Sequence, residues 1–269
     1  MKKKLFKNKF LSVALALALA LTAGLSFSAK AYAGTAGVVN SFNVSYGYTH
    51  SYYPNGQGTA DLNNYNLSLE GAPFPIPVWG QVNFSKNFSA GNKSADIGTE
   101  NYNNEFYGAK VGYAFSVNRN LTIIPNVGYE YVTDELNGTD NSYGICNGIS
   151  CGINFNETDH LNQILLGAKV YYTPPVANLW IEGQAYYQNS IGSKFNEGIG
   201  GNNGYPYMNY SGTLDNGSGF EIGAKVGYAA LKTQYAIFSP FVGVNYESIG
   251  VDNTNIGILG VDLGVKTSF

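Results

Sequence analysis

The sequence predicts an all-β chain of about ten antiparallel strands closed up-and-down into a transmembrane barrel, eight or twelve strands being the alternatives. Three observations carry this. The hexapeptide Gly108-Ala109-Lys110-Val111-Gly112-Tyr113 recurs as Gly223-Ala224-Lys225-Val226-Gly227-Tyr228 and as Gly167-Ala168-Lys169-Val170-Tyr171-Tyr172, and a looser copy, Gly264-Val265-Lys266-Thr267-Ser268-Phe269, ends the chain. Each copy alternates apolar with small or charged residues, a period of two that makes one strand face apolar and leaves a lysine on the other. Composition agrees: 34 Gly, 22 Tyr and 15 Phe accompany only 12% charged residues. No stretch after Gly34 approaches the ~18 to 20 apolar residues of a spanning helix.

Residues 1–33 read as a cleaved export segment, set apart from a barrel domain over 34–269. Lys2, Lys3, Lys4, Lys7 and Lys9 form a positive start, Leu11 to Leu25 is apolar, and Ala31-Tyr32-Ala33 fits an A-x-A cleavage site. An uncleaved anchor is the alternative reading. Removing this segment takes six lysines and no acid, leaving nine basic against eighteen acidic residues, a net charge of −9. A mature chain with one arginine, Arg119, lacks the clustered basic residues that nucleic acid requires.

The strands follow in order. Phe42, Val44, Tyr46 and Tyr48 share the apolar face of the first, which Pro54-Asn55-Gly56 ends. Tyr65, Leu67 and Leu69 mark the second, and Val78, Val82 and Phe84 the third. Polar residues from about Ser89 to Asn103 read as a loop before the first hexapeptide strand. Asn118-Arg119-Asn120 is a tight turn, and Leu121, Ile123, Val127, Tyr129 and Tyr131 carry the chain back. Thr133 to Thr158 reads as a loop holding Cys146 and Cys151. Ile164 to Tyr172 and Leu179 to Tyr187 are strands six and seven, and Asn189 to Gly217 is the longest connection. Strands eight, nine and ten carry Phe220 to Tyr228, Phe238 to Tyr246, and the chain end. The spacing Gly108 to Pro125 equals that of Gly223 to Pro240, so the repeating unit is a hairpin. Short turns then alternate with longer polar connections, and both termini fall on the short-turn side.

In lipid every backbone polar group must be satisfied within the protein, so a spanning sheet has to close on itself. Aromatics near strand ends, such as Tyr113, Phe115, Tyr129 and Tyr131, suit interfacial girdles. The export segment, the repeated hairpins and the terminal Asp262-x-Gly264 … Phe269 resemble the small outer-membrane β-barrel (porin-like, opacity-type) family of Gram-negative bacteria. The resemblance implies outer-membrane localisation, periplasmic short turns and termini, and long extracellular loops. It implies lipid and lipopolysaccharide as surroundings, and the barrel-assembly machinery as reader of Asp262, Gly264 and Phe269; Thr267 departs from that pattern. Small solutes or a surface ligand at the loops are further candidate partners. A soluble β-sandwich is the competing fold, though its outer face would carry more Lys and Glu.

Parity places Lys110, Lys169, Lys225 and Lys266 on the non-lipid face with Glu70, Glu130, Glu182, Glu221, Glu247 and Asp262. One reading is a charged constriction that selects ions; the other is a filled lumen in which each buried charge needs a partner. The overall expectation is a non-enzymatic envelope protein, with a narrow diffusion pore or a loop-borne adhesin as alternatives. His50-Ser51 and Asp159-His160 are sequence neighbours, which point to opposite faces of a strand and form no dyad there. No cofactor or metal motif is present: the acids Asp134, Glu135, Asp140, Glu157, Asp159, Glu197 and Asp215 do not fall in a calcium-loop pattern. Two cysteines separated by four residues in an exported chain suggest a disulfide that shapes a loop tip, two free thiols being the alternative.

Overall fold

A computed structural model describes residues 40–53, 58–72, 77–89, 93–95, 98–140, 145–146, 149–150, 153–175, 178–201, 208–251 and 254–269. Ten long strands build the ring: β1 Ser41–Tyr53, β2 Gly58–Gly71, β3 Val78–Ser89, β4 Gly98–Tyr113, β5 Leu121–Asp140, β6 Ile153–Tyr172, β7 Leu179–Ser190, β8 Ser218–Tyr228, β9 Ile237–Val251 and β10 Thr254–Ser268. Each pairs antiparallel with its neighbours in sequence. The last pairs with the first, from Ser41↔Ser268 to Tyr52↔Gly257, so the ring closes. Closure supplies each wall strand with hydrogen-bond partners on both sides, as an apolar surrounding demands.

The outward face is apolar. Phe42, Val44, Tyr46 and Tyr48 on β1 and Leu259, Val261, Leu263 and Val265 on β10 are all exposed, Leu263 by 67%. Val111, Val127, Leu166, Ile222 and Val244 continue the band around the ring. Soluble monomers keep such patches to roughly 300–600 Å², whereas lipid contact gains about 1.5–3 kcal/mol for each large side chain covered. The final aromatics of the four repeats, Tyr113, Tyr172, Tyr228 and Phe269, lie exposed at the short-turn edge of the band. Tyr48, Tyr129, Tyr187 and Tyr246 are exposed toward the other edge. These are the two aromatic girdles of a membrane barrel.

The repeat has an inward meaning as well. Its glycines share the luminal face with its lysine, and several seat a ring from the paired strand. Gly227 is paired with Trp180, and a Cβ there would run into the indole. Gly264 is paired with Phe241, and its Cβ would stand 2.6 Å from Phe241 Cζ. The missing side chain is what lets an aromatic lie flat inside a narrow barrel.

Beyond the apolar band the sheet continues, which corrects the expected loops. The segments expected as loops from Ser89 to Asn103, Thr133 to Thr158 and Asn189 to Gly217 contain much strand. β4, β5 and β6 run on in register, from Gly98↔Asp140 and Ile153↔Asp140 downward. Lys194–Gly201 and Met208–Thr213 add a hairpin on one side, and Lys93–Ala95 adds a short strand on the other. This extension lies beyond the apolar band and is built mostly from polar residues, so the sequence there carries no hydrophobic period. Backbone pairing persists where the pattern that announces it has gone. The turn at Asn118–Asn120 is as expected, with Asn118 Oδ1 accepting from the Asn120 N–H at 2.8 Å.

Two apolar clusters lie inside the ring. Phe106, Val132, Leu161, Ile249 and Ile258 pack together toward the long-connection end. Trp79, Ala114, Ile124 and Tyr171 pack together at the short-turn end. Polar and charged side chains fill the space between.

Candidate functional site

The luminal charges fall into two groups rather than one network. The lower group sits just above the Trp79 cluster. Lys169 Nζ lies 2.5 Å from Glu70 Oε2 and 2.9 Å from Glu182 Oε1. Lys266 Nζ bridges the same two acids at 3.3 and 3.4 Å, and Lys225 reaches Glu182 at 3.7 Å. Tyr171 donates its hydroxyl to Glu70 at 2.5 Å, and Ser41 donates to it at 3.2 Å. The ammonium of Lys266 also stands over the rings of Tyr171 and Trp180, at 4.8 and 4.9 Å. Lys169 and Glu70 are almost fully buried. Charges so far from water persist only when paired and hydrogen-bonded.

The upper group is different in kind. Lys110 lies 3.7 Å from Glu221 and caps the Tyr186 ring at 3.8 Å. Glu130, Glu247 and Asp262 have no ammonium within 4.0 Å among the described residues; amides hold them instead. Asn83 donates to Glu130 at 3.2 Å, Gln188 to Glu247 at 2.9 Å, and Asn66 to Asp262 at 3.2 Å. Gln184 donates to Glu221. The lower acids thus have lysine partners, whereas Glu130, Glu247 and Asp262 are held by amides. The upper group lines a cavity of about 150 Å³, which Glu182 and Lys225 border from below.

The remaining candidate residues lie apart from the lumen. Asp262 and Gly264 face inward on β10, while the Phe269 N–H donates to the Asn40 carbonyl at 2.9 Å and its ring is exposed. Ile145–Cys146 pairs with Ile149–Ser150; Cys151 and any bond between Cys146 and Cys151 lie outside the described residues. So do Ala31, Ala33 and the rest of the segment expected to direct export. His50 finds an acid that the sequence reading missed: its Nδ1 lies 2.8 Å from Asp61 Oδ1 on the outer face of β1 and β2. The register of β1 against β2 sets His50 opposite Asp61, a pairing that no local signal in the sequence announces. His160 stacks on Tyr131 and accepts or donates at 2.8 Å to its hydroxyl.

Beyond the apolar band, Asp134 accepts from the Tyr102 hydroxyl at 2.7 Å. Burial pushes its carboxyl up to about 7, and nearby Glu157 and Glu135 add to the rise. Glu157 is raised by burial first and by the charge of Glu197 second.

A closed ring of ten antiparallel strands, an apolar outer band between aromatic girdles and a polar interior define the architecture. The outer-membrane protease OmpT of Escherichia coli shares it, with a TM-score of 0.53 at 10% identity, over 86% of this chain and 97% of that one. The chain has the fold of an outer-membrane β-barrel. Two other outer-membrane proteins align with lower scores. A major outer membrane protein from Thermus thermophilus aligns with a TM-score of 0.46 at 12% identity, over 85% of this chain and 99% of that one. Neisserial surface protein A aligns with a TM-score of 0.38 at 12% identity, over 85% of this chain and 96% of that one. No protein-family model and no curated protein matches the sequence. Identities this low bear on the barrel fold and leave its activity open.

Proposed function

We propose that this outer-membrane barrel is a closed, non-enzymatic anchor in the envelope whose working surface is the sheet standing beyond the membrane band. The single observation behind this reading is the packing of the interior, with an apolar cluster of Phe106, Val132, Leu161, Ile249 and Ile258 toward one end and one of Trp79, Ala114, Ile124 and Tyr171 toward the other. Barrels of about eight strands are filled by side chains, while those of 16 or more leave a channel; ten strands stand near the filled case. In this reading residues 1–33 are removed after Ala33 during export. The short turns and both termini face the periplasm, lipid and lipopolysaccharide surround the band, and the terminal strand ending in Phe269 is what the assembly machinery meets. A loop-tip disulfide between Cys146 and Cys151 is part of the same proposal.

The decisive experiment is single-channel recording from the purified barrel in planar bilayers, with insertion shown by heat-modifiable gel migration. The expected result is silence. Reproducible steps whose ion selectivity changes in Lys110→Glu or Lys225→Glu would replace this reading with a narrow pore. N-terminal sequencing of the mature protein should begin at Gly34.

A second reading, adhesion, draws on one feature. Met208 and Tyr210 are each 49% exposed on Met208–Thr213, the outermost strand of the extension. Edge strands without protecting charge tend to pair or bind. Deleting residues 202–210 should abolish surface binding by whole cells while leaving barrel assembly unchanged.

A further inference from the structure

The sheet beyond the band has two unlike faces. Side chains alternate along a strand, so one face of β4, β5 and β6 continues the lumen and the other continues the apolar band. The outer of these carries mainly neutral amides and hydroxyls, such as Asn137, Asn156, Asn196 and Ser211. The inner one gathers carboxylates. Asp134 on β5 is the cross-strand partner of Asp159 on β6, and Glu157 on β6 is that of Glu197 on the Lys194–Gly201 strand. Like charges directly opposed repel, and here two such pairs fall in adjacent rows of one face. Lys194, the lysine of that strand, belongs to the other face with its partners His160 and Thr213.

Aromatic rings lie among these acids. Phe155 is paired with Gly138 through the β5–β6 register and Phe195 with Gly212 across the outer hairpin. A Cβ at either glycine would run into the ring, so each ring lies flat against the sheet with its other face turned away from it. A flat aromatic face beside carboxylates suits a cation. Phe155, Ile199 and Met208 form one row across three strands, and Tyr210 follows Met208 on the outermost strand, both of them exposed. Acids and glycines interrupt these apolar residues, so no single strand shows a hydrophobic period.

The spacing indicates what kind of cation fits. Among the described residues, no three acidic, histidine or cysteine side chains converge to hold a metal ion. The carboxylates are spread instead over three strands, roughly 5 Å apart between strands and roughly 7 Å apart between rows. They match positive charges borne on separate side chains, with apolar side chains alongside. Beyond residue 33 the chain carries eighteen acidic against nine basic residues, a balance that steers a basic partner in and an acidic one away.

We propose that this inner face docks a cationic amphipathic peptide segment, its basic side chains on the two carboxylate pairs and its apolar side chains along Phe155, Ile199, Met208 and Tyr210. The proposal rests on the reading of the outer sheet as the working surface and gives that surface a partner chemistry.

The test uses the protein purified from membranes, in nanodiscs of zwitterionic lipid with empty discs as the blank. The probe is a fluorescein-labelled synthetic peptide of alternating lysine and leucine, and the readout is anisotropy at rising KCl. Saturable binding above the blank, weakened by salt, is expected. Glu157→Gln with Glu197→Gln should weaken binding at least tenfold, since the partner's charges then lose their counterparts. Both changes remove a repulsion, so heat-modifiable migration should show a folded barrel. Ile199→Ser should also weaken binding, whereas Asn156→Ala on the opposite face should bind as the parent does. No binding by the parent above the blank would overturn the proposal. So would binding that survives the paired glutamine change, which would put the peptide elsewhere. Equal binding of a lysine–serine peptide would likewise overturn it, the contact then being charge alone. A barrel that conducts in planar bilayers would remove the closed-anchor reading whatever this titration gives, while a silent barrel that ignores the peptide would remove this proposal alone.

Discussion

Lys169 on β6 crosses the lumen to Glu70 on β2, its Nζ 2.5 Å from Oε2. These strands lie four places apart in a ring of ten, so the contact braces nearly opposite walls and measures how narrow the interior is. Glu182 and Lys266 join the brace. Removing one member leaves the rest buried without balance, which costs about 3–5 kcal/mol. Lys169→Met should therefore lower unfolding free energy in urea titrations by that amount. Adding Glu70→Gln to Lys169→Met should recover part of the loss, because the second change removes the stranded charge.

The pairing of Gly227 with Trp180 supports a second prediction. A methyl group at Gly227 meets the indole, and overpacking of this kind costs roughly 1–3 kcal/mol. Gly227→Ala should destabilise the barrel within that range. In a Trp180→Ala background the same change should be nearly neutral, which a double-mutant cycle of unfolding midpoints would show.

Leu263 lies outward in the middle of the band, 67% exposed. Arginine at the midplane of a membrane barrel costs about 2–4 kcal/mol. Leu263→Arg should lose that much when folding into lipid vesicles is measured. A barrel that did not sit in lipid would tolerate the change at an exposed position with little loss.

Asp134 gives the outer extension a pH dependence. Its carboxyl titrates near 7 in the folded chain against an ordinary 3.8, chiefly because it is buried. Below the ordinary value both folded and unfolded chains keep the proton, so stability does not vary. Between about 4 and 7 the unfolded chain loses a proton that the folded one retains, and stability falls as pH rises. Amide exchange across residues 133–140 should thus be slower at pH 5 than at pH 8 after correction for intrinsic rates. Asp134→Asn should flatten most of this difference, Glu157 contributing the remainder in the same direction.

Much of the fold could be read before any coordinates. Alternation in Phe42 to Tyr48 and in Leu259 to Val265 fixed which faces meet lipid, because lipid is uniform and one residue's surroundings predict the next. Hairpin spacing between Gly108 and Pro125 gave the strand count. The overrunning strands past Thr133 were missed because, beyond lipid, mostly polar residues on both faces erase the period. The luminal aromatics Trp79, Trp180 and Phe241 were missed because a polar interior was expected. They are admitted only where a paired glycine leaves room, and that pairing depends on register between strands.

Parity of the sequence alone determined that four lysines and six acids turn inward, since side chains alternate strictly along a strand. Which lysine meets which acid was decided only by closure of the ring. Lys169 and Glu70 stand 99 residues apart in the chain and touch because curvature brings β6 and β2 face to face. Glu221 and Glu247 were set side by side by the register of β8 against β9, and Lys110 reaches Glu221 from across the ring. Local alternation fixes direction for every residue, but distance across a lumen is a property of the assembled wall.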